Sequence, residues 1–177
     1  MSRLIPFAHA INVYDIDIAF FVSLKVKYIF LDLDNTLDTH ICKDPSARAI
    51  KLIKDLKEAG LVPYIISNNK EKRVKRYADQ CGAKYTFKSK KPFGFKIRKF
   101  MKKENIKPEE VIMIGDQLMT DVRCAKNIGV RCILTEKLWP GDQFITKFLR
   151  WLDTIKRTRL RKDNLLKDWR IVYGSTK

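Results

Sequence analysis

The 177-residue sequence predicts an α/β fold in which a parallel sheet is covered by helices on both faces. Three observations lead to this prediction. Short apolar runs rich in β-forming residues alternate with longer stretches whose apolar residues recur at helical spacing. Turn and capping residues separate the two kinds of segment, and regular alternation of strand and helix favours parallel strands joined by crossover helices. A content of 45% hydrophobic residues supports one domain with a substantial core.

The first half of the alternating region contains three predicted strands and two predicted helices. Apolar residues fill positions 28–33 except for Asp32, and they predict a fully buried strand. Asp44 and Pro45 begin a predicted helix that Gly60 ends, and its apolar residues on one face are those at positions 49, 50, 53, 56 and 59. The run "LVPYIIS" predicts a strand ending at Ser67. A helix over "KEKRVKRYADQCG" and a short strand over "AKYTF" follow.

The second half continues the alternation. The stretch "FGFKIRKFMKKEN" predicts a basic helix, and "EVIMIGD" predicts a buried strand. A helix over "MTDVRCAKNIG" and a last strand over "VRCILT" complete the pattern. We therefore divide the chain into a lead-in segment over 1–27 that packs on the core, the core itself over 28–140, and a basic helical segment over 141–177 that belongs to the same domain.

The residues that carry chemistry stand where the predicted strands end. In chain order they are Asp32 and Asp34, Ser67 and Asn68, Lys90 and Lys91, and Asp116 with the nearby Asp121. In open parallel sheets, sites form in the crevice at the carboxyl ends of the strands, so the topology brings these residues to one edge. Burying carboxylates at the end of a core strand costs free energy unless something pairs with them. We therefore expect a binding site at this edge.

These residue types suit phosphoryl transfer. Several carboxylates at one edge repel each other unless a cation joins them, and hard oxygen ligands suit Mg²⁺. A serine, its neighbouring amides and a lysine can hold phosphate oxygens. A carboxylate can attack phosphorus, and a second one two residues later points to the same side, where it can protonate the leaving group. Taken singly, each residue has an ordinary explanation as a turn, a helix cap or a surface charge. Their joint occurrence at successive strand ends favours a site.

Four motifs together resemble those of the haloacid dehalogenase (HAD) superfamily of phosphatases. "DLDNTL" is similar to the first motif of that family, "ISNN" to the second, "KKP" to the third and "GDQLMTD" to the fourth, and they cover residues 28–121. The resemblance implies a three-layer, Rossmann-like fold with helices on both faces of the sheet. It also implies a Mg²⁺-dependent enzyme that hydrolyses a phosphomonoester through an aspartyl-phosphate.

The resemblance also assigns a role to each motif residue. Asp32 is the implied nucleophile and Asp34 the implied general acid and base. Ser67, Asn68 and Lys91 are the implied phosphate-binding residues. The implied metal site consists of Asp32, the backbone carbonyl of Asp34, and Asp116, with Asp121 in support. Between the two lysines of the third motif, Lys91 is favoured over Lys90 because it directly precedes Pro92.

The finer resemblance is to the YqeG-like, IIIA-type branch, on "DNTL", "SNN", "KKPF" and "GDQLMTDV". Relatives of this branch include mitochondrial phosphatases that act on phosphatidylglycerophosphate, which implies a lipid headgroup phosphate as one candidate substrate. A nucleotide or nucleic-acid terminal phosphate is the alternative. The stretches from Asp34 to Ser67 and from Ser67 to Lys91 are filled by the predicted helices and strands, so we expect no substantial cap domain and an open site.

The net charge of +17 favours an anionic partner. Nine lysines and arginines and no acidic residue lie between positions 84 and 103, beside the third motif. The segment over 147–177 is also basic, and with Trp151 on an apolar face it is typical of helices on anionic membranes. Packing of that face on the core is the alternative. Outside the enzymes, the alternative is a basic RNA- or ribosome-associated binding module, which would not need both Asp32 and Asp34.

The compartment is predicted from the cysteines and the apolar segments. Four cysteines show no CxxC pair and no Cys/His metal spacing, so we expect reduced thiols in an intracellular protein. The apolar run "IAFFVSL" is too short to cross a bilayer, and the charge order of a signal peptide is missing. We expect a soluble, cytoplasmic protein, with at most peripheral attachment to a membrane.

Overall fold

The computed structural model describes residues 4–139 and 147–175. Within these residues six parallel strands form one sheet in the order β1-β6-β5-β2-β3-β4. The strands are β1 Ala8–Ala10, β2 Tyr28–Leu31, β3 Val62–Ile66, β4 Lys84–Thr86, β5 Val111–Gly115 and β6 Arg131–Thr135. The predicted parallel α/β fold is confirmed. β2 lies inside the sheet with β5 on one side and β3 on the other, so the end of β2 has neighbouring strand ends on both sides.

Helices cover both faces of the sheet and give it two separate cores. They are α1 Ile18–Ser23, α2 Ala47–Glu58, α3 Glu71–Cys81, α4 Phe95–Lys103, α5 Arg123–Ile128, α6 Lys147–Lys162 and α7 Trp169–Gly174. Along β2, Ile29 and Leu31 belong to the core cluster that contains α2 and α3, whereas Phe30 belongs to the cluster that contains α4 and α5. Successive side chains of a strand point to opposite faces, which makes β2 the centre of a three-layer structure.

β1 was not among the predicted strands. Its three residues, Ala8 to Ala10, pair in parallel with residues 133–135 of β6 and extend the sheet at that edge. A three-residue strand is too short to show a periodic pattern, and alanine carries little strand preference. The position of β1 depends on its backbone pairing with β6 and on the burial of Ala8 and Ala10 in the core, both of which are contacts with distant parts of the chain.

No folded domain is inserted between the strands of the described region. Residues 32–46 join β2 to α2 and residues 67–70 join β3 to α3, and both connections are loops. The edge at which β2, β3 and β5 end therefore has no cap formed by either connection. Among the described residues, no helix combines the length and the apolar composition needed to cross a membrane.

The C-terminal helix α6 buries a polar face. The predicted basic segment begins at residue 141, but residues 140–146 lie outside the described part of the chain. From residue 151 onward, Asp153, Arg157 and Leu160 are buried, whereas Trp151 is 58% exposed. The prediction of an apolar face thus describes the helix only in part, because the buried face of α6 also contains charged residues and contacts the loop that follows β5.

Candidate active site

The polar residues at the strand ends line one cavity of about 270 Å³. Its lining consists of Asp32, Asp34, Asn35, His40, Ser67, Asn68, Asn69, Lys91, Gln117, Thr120 and Asp121. Six predicted site residues are therefore brought together, and Asp116 joins them from the end of β5. These residues lie close together because β2, β3 and β5 are neighbouring parallel strands, so their carboxyl ends lie at the same edge of the sheet.

Three buried carboxylates form a candidate cation site. Asp32, Asp116 and Asp121 each offer a carboxylate oxygen, and these oxygens lie within 4.8 Å of one another. One buried ammonium, that of Lys91, contacts two of the three carboxylates. With all four groups ionised, three negative charges face one positive charge, and a single divalent cation would balance the rest. An all-oxygen donor set of this kind fits Mg²⁺ or a similarly hard cation.

Lys91 is the lysine that the structure brings to the site. Its Nζ donates to Asp32 Oδ1 and, at 2.7 Å, to Asp121 Oδ1, and its side chain is 3% exposed. Lys90, its neighbour, is exposed. The side chain of Asn68 holds Lys91 from the other side, since its Oδ1 accepts from the Lys91 N–H at 2.9 Å and its Nδ2 donates to the Lys91 carbonyl at 3.0 Å. Both groups of the Asn68 amide thus orient Lys91.

Burial and neighbouring charges shift the pKa values of Asp32 and Lys91 in opposite directions. Burial raises the pKa of Asp32 to about 7, and the nearby ammonium of Lys91 opposes this rise. For Lys91, burial lowers the pKa, but the carboxylates of Asp121 and Asp32 outweigh it and hold the pKa above its ordinary value. Lys91 therefore stays charged. A divalent cation beside Asp32 would act in the same direction as Lys91 and favour the ionised carboxylate.

Asp34 lies in the same cavity but faces a different set of partners. Its carboxylate accepts from Arg73 Nη2 at 2.6 Å and from the side-chain amide of Asn69. Arg73 also donates to the carbonyl of Cys42 at 2.7 Å, which ties α3 to the loop after β2. Asn35, with φ of +67°, forms the turn that separates the two aspartates from the rest of the loop. Asp34 is thus oriented independently of Asp32.

Two of these partners were missed by the sequence analysis. Asn69 belongs to the "SNN" stretch of the second motif, and this position could have identified it as a site residue. Arg73 lies in the first turn of α3, among several other basic residues, and nothing in its spacing distinguishes it. His40, to which the sequence assigned no role, also lines the cavity.

Ser67 is buried at the end of β3 with its hydroxyl beside the cavity. Its Oγ accepts a hydrogen bond from the backbone N–H of Asn69 at 3.1 Å. A hydroxyl that accepts in this way keeps its own hydrogen for donation. The buried hydroxyl of Thr36 donates to Asp32 Oδ2 at 3.4 Å and so supports the Asp32 carboxylate from outside the cavity lining. The cavity therefore combines negative charge at its base with donors suited to the oxygens of an anionic ligand.

The loop after β5 approaches the sheet so closely that only glycine fits at position 115. A Cβ added to Gly115 would overlap the side chain of Asp121. Asp121 itself lies on a single π-helical turn, Leu118–Val122, and its Oδ2 accepts from the N–H of Gln117 at 3.1 Å. π-Helical turns are rare and frequent at functional sites, where they place a side chain that a regular helix would turn away.

We expect Gly115→Ala to displace Asp121 and to weaken the binding of a divalent cation at the candidate site by about 10- to 100-fold, the usual effect of disturbing a group beside a metal site. The measurement is the dissociation constant for Mg²⁺, followed by turnover as a function of Mg²⁺ concentration. Gly174→Ala is the matched control, because nothing lies within 4 Å of a Cβ at that position. Equal activity of the two alanine variants would contradict the assigned role of the close contact.

Comparison with known proteins agrees with the geometry. A model of the haloacid dehalogenase-like hydrolases matches residues 43–135, which is more than half of the chain. The chain belongs to this family. The match includes the second, third and fourth motifs but not the first, and α6 and α7 lie beyond it.

Two curated proteins are similar in sequence to this hydrolase. Over 129 residues it is 36% identical to "Probable phosphatase YqeG" of Bacillus subtilis (strain 168), and the aligned region covers 73% of this chain and 75% of that protein. Over 108 residues it is 32% identical to "Glyceraldehyde 3-phosphate phosphatase" of Pyrococcus furiosus, which covers 56% of this chain and 44% of that protein. The predicted resemblance to the YqeG-like branch and the predicted enzyme class, a phosphatase of the HAD type, are confirmed.

Solved structures share the fold at low sequence identity. A structure from Vibrio cholerae, named "putative 3-deoxy-D-manno-octulosonate 8-phosphate phosphatase", has a TM-score of 0.55 at 17% identity and covers 76% of both chains. The protein XCC2798 from Xanthomonas campestris has a TM-score of 0.52 at 16% identity and covers 72% of this chain and 73% of its own. The predicted HAD-type sheet is thereby confirmed as the architecture of this hydrolase.

Proposed function

We propose that this hydrolase is a Mg²⁺-dependent phosphatase that cleaves phosphomonoesters through an aspartyl-phosphate on Asp32. The observation that carries the proposal is the cluster of three buried carboxylates, with oxygens within 4.8 Å of one another, around the single buried ammonium of Lys91. Burying so many charges is costly, and a structural role would be served equally well by apolar residues. A site that binds a cation and a phosphate together gives each charge a partner.

In the first step, a carboxylate oxygen of Asp32 attacks phosphorus and the bond from phosphorus to the ester oxygen breaks. Asp34 gives its proton to that oxygen, so the alcohol leaves neutral. In the second step, Asp34 takes a proton from a water molecule that attacks the same phosphorus. The bond to Asp32 then breaks, and both carboxylates return to their starting state with phosphate as the product.

The other residues of the cavity bind and orient. Ser67 donates its hydroxyl hydrogen to a phosphoryl oxygen, and Lys91 offsets negative charge beside the nucleophile. Arg73 and Asn69 keep the Asp34 carboxylate in one orientation. Mg²⁺ would be held by Asp32, Asp116 and the backbone carbonyl of Asp34, with Asp121 in support, and it would supply positive charge to the phosphoryl oxygens.

For the substrate we propose a lipid headgroup phosphate, with phosphatidylglycerophosphate as the first candidate. Two exposed apolar residues adjoin the cavity in sequence: Ile41 follows His40 and is 64% exposed, and Phe93 lies two residues after Lys91 and is 68% exposed. Exposed lysines at 88 and 90 lie in the same loop as Phe93. Apolar residues beside basic ones at an open site are typical of contact with an anionic membrane surface.

Small soluble phosphates are the second candidate substrate class. One relative of the chain is named a glyceraldehyde 3-phosphate phosphatase, and the cavity of about 270 Å³ accommodates a phosphate with a short carbon chain. The net charge of +17 favours a third class, a terminal phosphate of a nucleotide or nucleic acid.

The deciding experiment measures phosphate release with Mg²⁺ and with EDTA. The substrates are phosphatidylglycerophosphate in vesicles, glyceraldehyde 3-phosphate, a nucleotide panel, and oligonucleotides with a 5′- or 3′-phosphate. We expect release that requires Mg²⁺ and is fastest from the lipid. Faster release from a soluble substrate would overturn the lipid assignment, and release that continues in EDTA would overturn the proposed Mg²⁺ dependence.

A pair of surface variants tests the membrane contact separately. We expect Phe93→Ser to lower the ratio of vesicle turnover to soluble-substrate turnover by about 10-fold, because burying an aromatic side chain in the interface is worth a few kcal/mol at most. Val22→Ser is the control: Val22 is 52% exposed but lies on α1, ahead of β2 and thus at the opposite edge of the sheet. An unchanged ratio for Phe93→Ser would contradict the proposed contact.

A further inference from the structure

Helix α6 lies outside the matched family region, yet it reaches the loop that carries two of the candidate metal ligands. This loop begins with Asp116 at the end of β5 and continues through the π-helical turn to Asp121. The contact is made by the two charged residues of the buried face of α6, Asp153 and Arg157. What these residues do to the loop follows from their hydrogen bonds.

The guanidinium of Arg157 contacts acceptors on three segments of the chain. Its Nε donates to Asp153 Oδ2 at 3.0 Å, its Nη1 donates to the carbonyl of Thr135 at 3.0 Å, and its Nη2 donates to the carbonyl of Asp116. Nη1 also lies 3.1 Å from Glu136 Oε2. The side chain is 9% exposed, so these partners replace water almost completely. The planar guanidinium has five N–H donors and can bind several fixed acceptors at once, whereas the ammonium of a lysine cannot reach all of them.

Asp153 contacts the same loop three residues further along. Its Oδ1 accepts from the backbone N–H of Met119 at 3.1 Å, while its Oδ2 accepts from Arg157. Met119 is the second residue of the π-helical turn on which Asp121 lies. The pair Asp153 and Arg157 therefore holds the loop at two backbone groups, the carbonyl of residue 116 and the N–H of residue 119.

A buried ion pair contributes little to stability when compared with apolar residues of the same size. Each residue of this pair directs one further hydrogen-bonding group to the backbone of the loop that carries the candidate metal ligands: Arg157 Nη2 donates to the carbonyl of Asp116, and Asp153 Oδ1 accepts from the N–H of Met119. A shift of the peptide carbonyl of Asp116 would rotate its side chain, and a shift at Met119 would alter the π-helical turn. The geometry thus connects α6 to the separation between the Asp116 and Asp121 carboxylates.

We propose that Arg157 and Asp153 are positioning residues that set the metal affinity of the site through the backbone of residues 116–119. The inference rests on the proposed function, since it concerns the same Mg²⁺ site. It goes beyond that function because it assigns a role in metal binding to a helix outside the four motifs. Neither residue lines the cavity or belongs to the carboxylate cluster.

The test is the Mg²⁺ dissociation constant of the full chain, measured by calorimetry without substrate. Arg157→Lys keeps the charge but cannot reach all three segments, so we expect Mg²⁺ binding to weaken by about 10- to 100-fold. Arg161→Lys is the matched control: it lies one turn later on α6, pairs with Glu136 at 2.5 Å, and is 54% exposed. We expect its dissociation constant to equal that of the wild type.

Two further measurements separate positioning from general damage. Turnover of Arg157→Lys should return toward the wild-type value at saturating Mg²⁺, because only the occupancy of the site is reduced. Hydrogen–deuterium exchange of the metal-free protein should be faster over residues 117–121 in Arg157→Lys and unchanged in Arg161→Lys. If Arg157→Lys does not fold, Asp153→Asn replaces it, because it removes the charge on Asp153 and conserves its volume.

The outcomes distinguish the inference from the proposed function. If the wild type binds Mg²⁺ and Arg157→Lys binds it equally well, the positioning role is overturned while the proposed function stands. If turnover of the variant stays low at saturating Mg²⁺, when the site is filled, weakened Mg²⁺ binding does not explain the loss of turnover. In that case the inference also fails. If the wild type itself binds no Mg²⁺, the proposed function fails and takes the inference with it.

Discussion

Replacing Asp32 with asparagine is expected to lower phosphate release by about four orders of magnitude or more, the scale seen when a nucleophile is removed from a catalytic group that acts as a unit. The side-chain amide of asparagine is a poor nucleophile and cannot form the acyl phosphate that the first step requires. The variant also removes one negative charge from the candidate cation site. The measurement is single-turnover release from the best substrate of the panel, with acid quench to trap phosphorylated protein.

Wild-type protein quenched during turnover should carry phosphate on Asp32, and Asp32→Asn should carry none. Asp44→Asn serves as the control, because Asp44 is an exposed carboxylate of the same loop that pairs with Arg76 at 2.7 Å and does not line the cavity. If Asp32→Asn kept more than about one per cent of wild-type turnover, the aspartyl-phosphate would have to be abandoned.

Replacing Lys91 with methionine is expected to destabilise the metal-free protein by about 3–5 kcal/mol, the usual cost of removing one partner from a buried charge cluster. Asp32 and Asp121 would lose the ammonium that both contact. The loss should be larger at higher pH. The pKa of Asp32 is raised in the folded state, so protonated Asp32 favours folding, and this stabilisation is lost as the pH rises through about 7. At higher pH the ionised carboxylate therefore depends more on the ammonium that the substitution removes. Urea unfolding at pH 6 and pH 8, without Mg²⁺, measures both effects.

Added Mg²⁺ should recover more stability in Lys91→Met than in the wild type, because the cation replaces part of the missing positive charge. Lys90→Met is the control: it removes the same charge one residue away, at an exposed position, and should change the free energy of unfolding by no more than about 0.5 kcal/mol. Equal destabilisation by the two substitutions would show that Lys91 is not the partner of the buried carboxylates.

The sheet and most of the cavity were predictable because they depend on local patterns. The strand that precedes Asp32 is a continuous apolar run, and parallel topology then determines where its end lies relative to the ends before Ser67 and Asp116. The meeting of these residues follows from the alternation of strand and helix, without knowledge of any contact. The choice of Lys91 over Lys90 came from the motif, and the structure places Lys91 in the cavity.

The parts that were not predicted depend on contacts between distant residues. Arg73 reaches Asp34 from 39 positions away, and Arg157 reaches the carbonyl of Asp116 from 41. Helical periodicity indicates which face of a helix is apolar, but not which loop a charged residue on that face will meet. For α6 the pattern favoured the face that contains Trp151, which is exposed, whereas Arg157 and Asp153 are buried. A buried ion pair has no signature in a hydrophobic pattern.

The two hydrogen bonds between the side chain of Asn68 and the backbone of Lys91 have a consequence for ligand binding. They fasten the loop after β3 to the loop after β4, so the serine hydroxyl and the lysine ammonium keep a fixed separation. A ligand that meets such a cavity need not freeze two mobile loops and loses little entropy to ordering. In the proposed phosphatase the phosphate-binding groups are therefore preorganised by the fold, and we expect the surroundings of the phosphate to decide which molecules are hydrolysed.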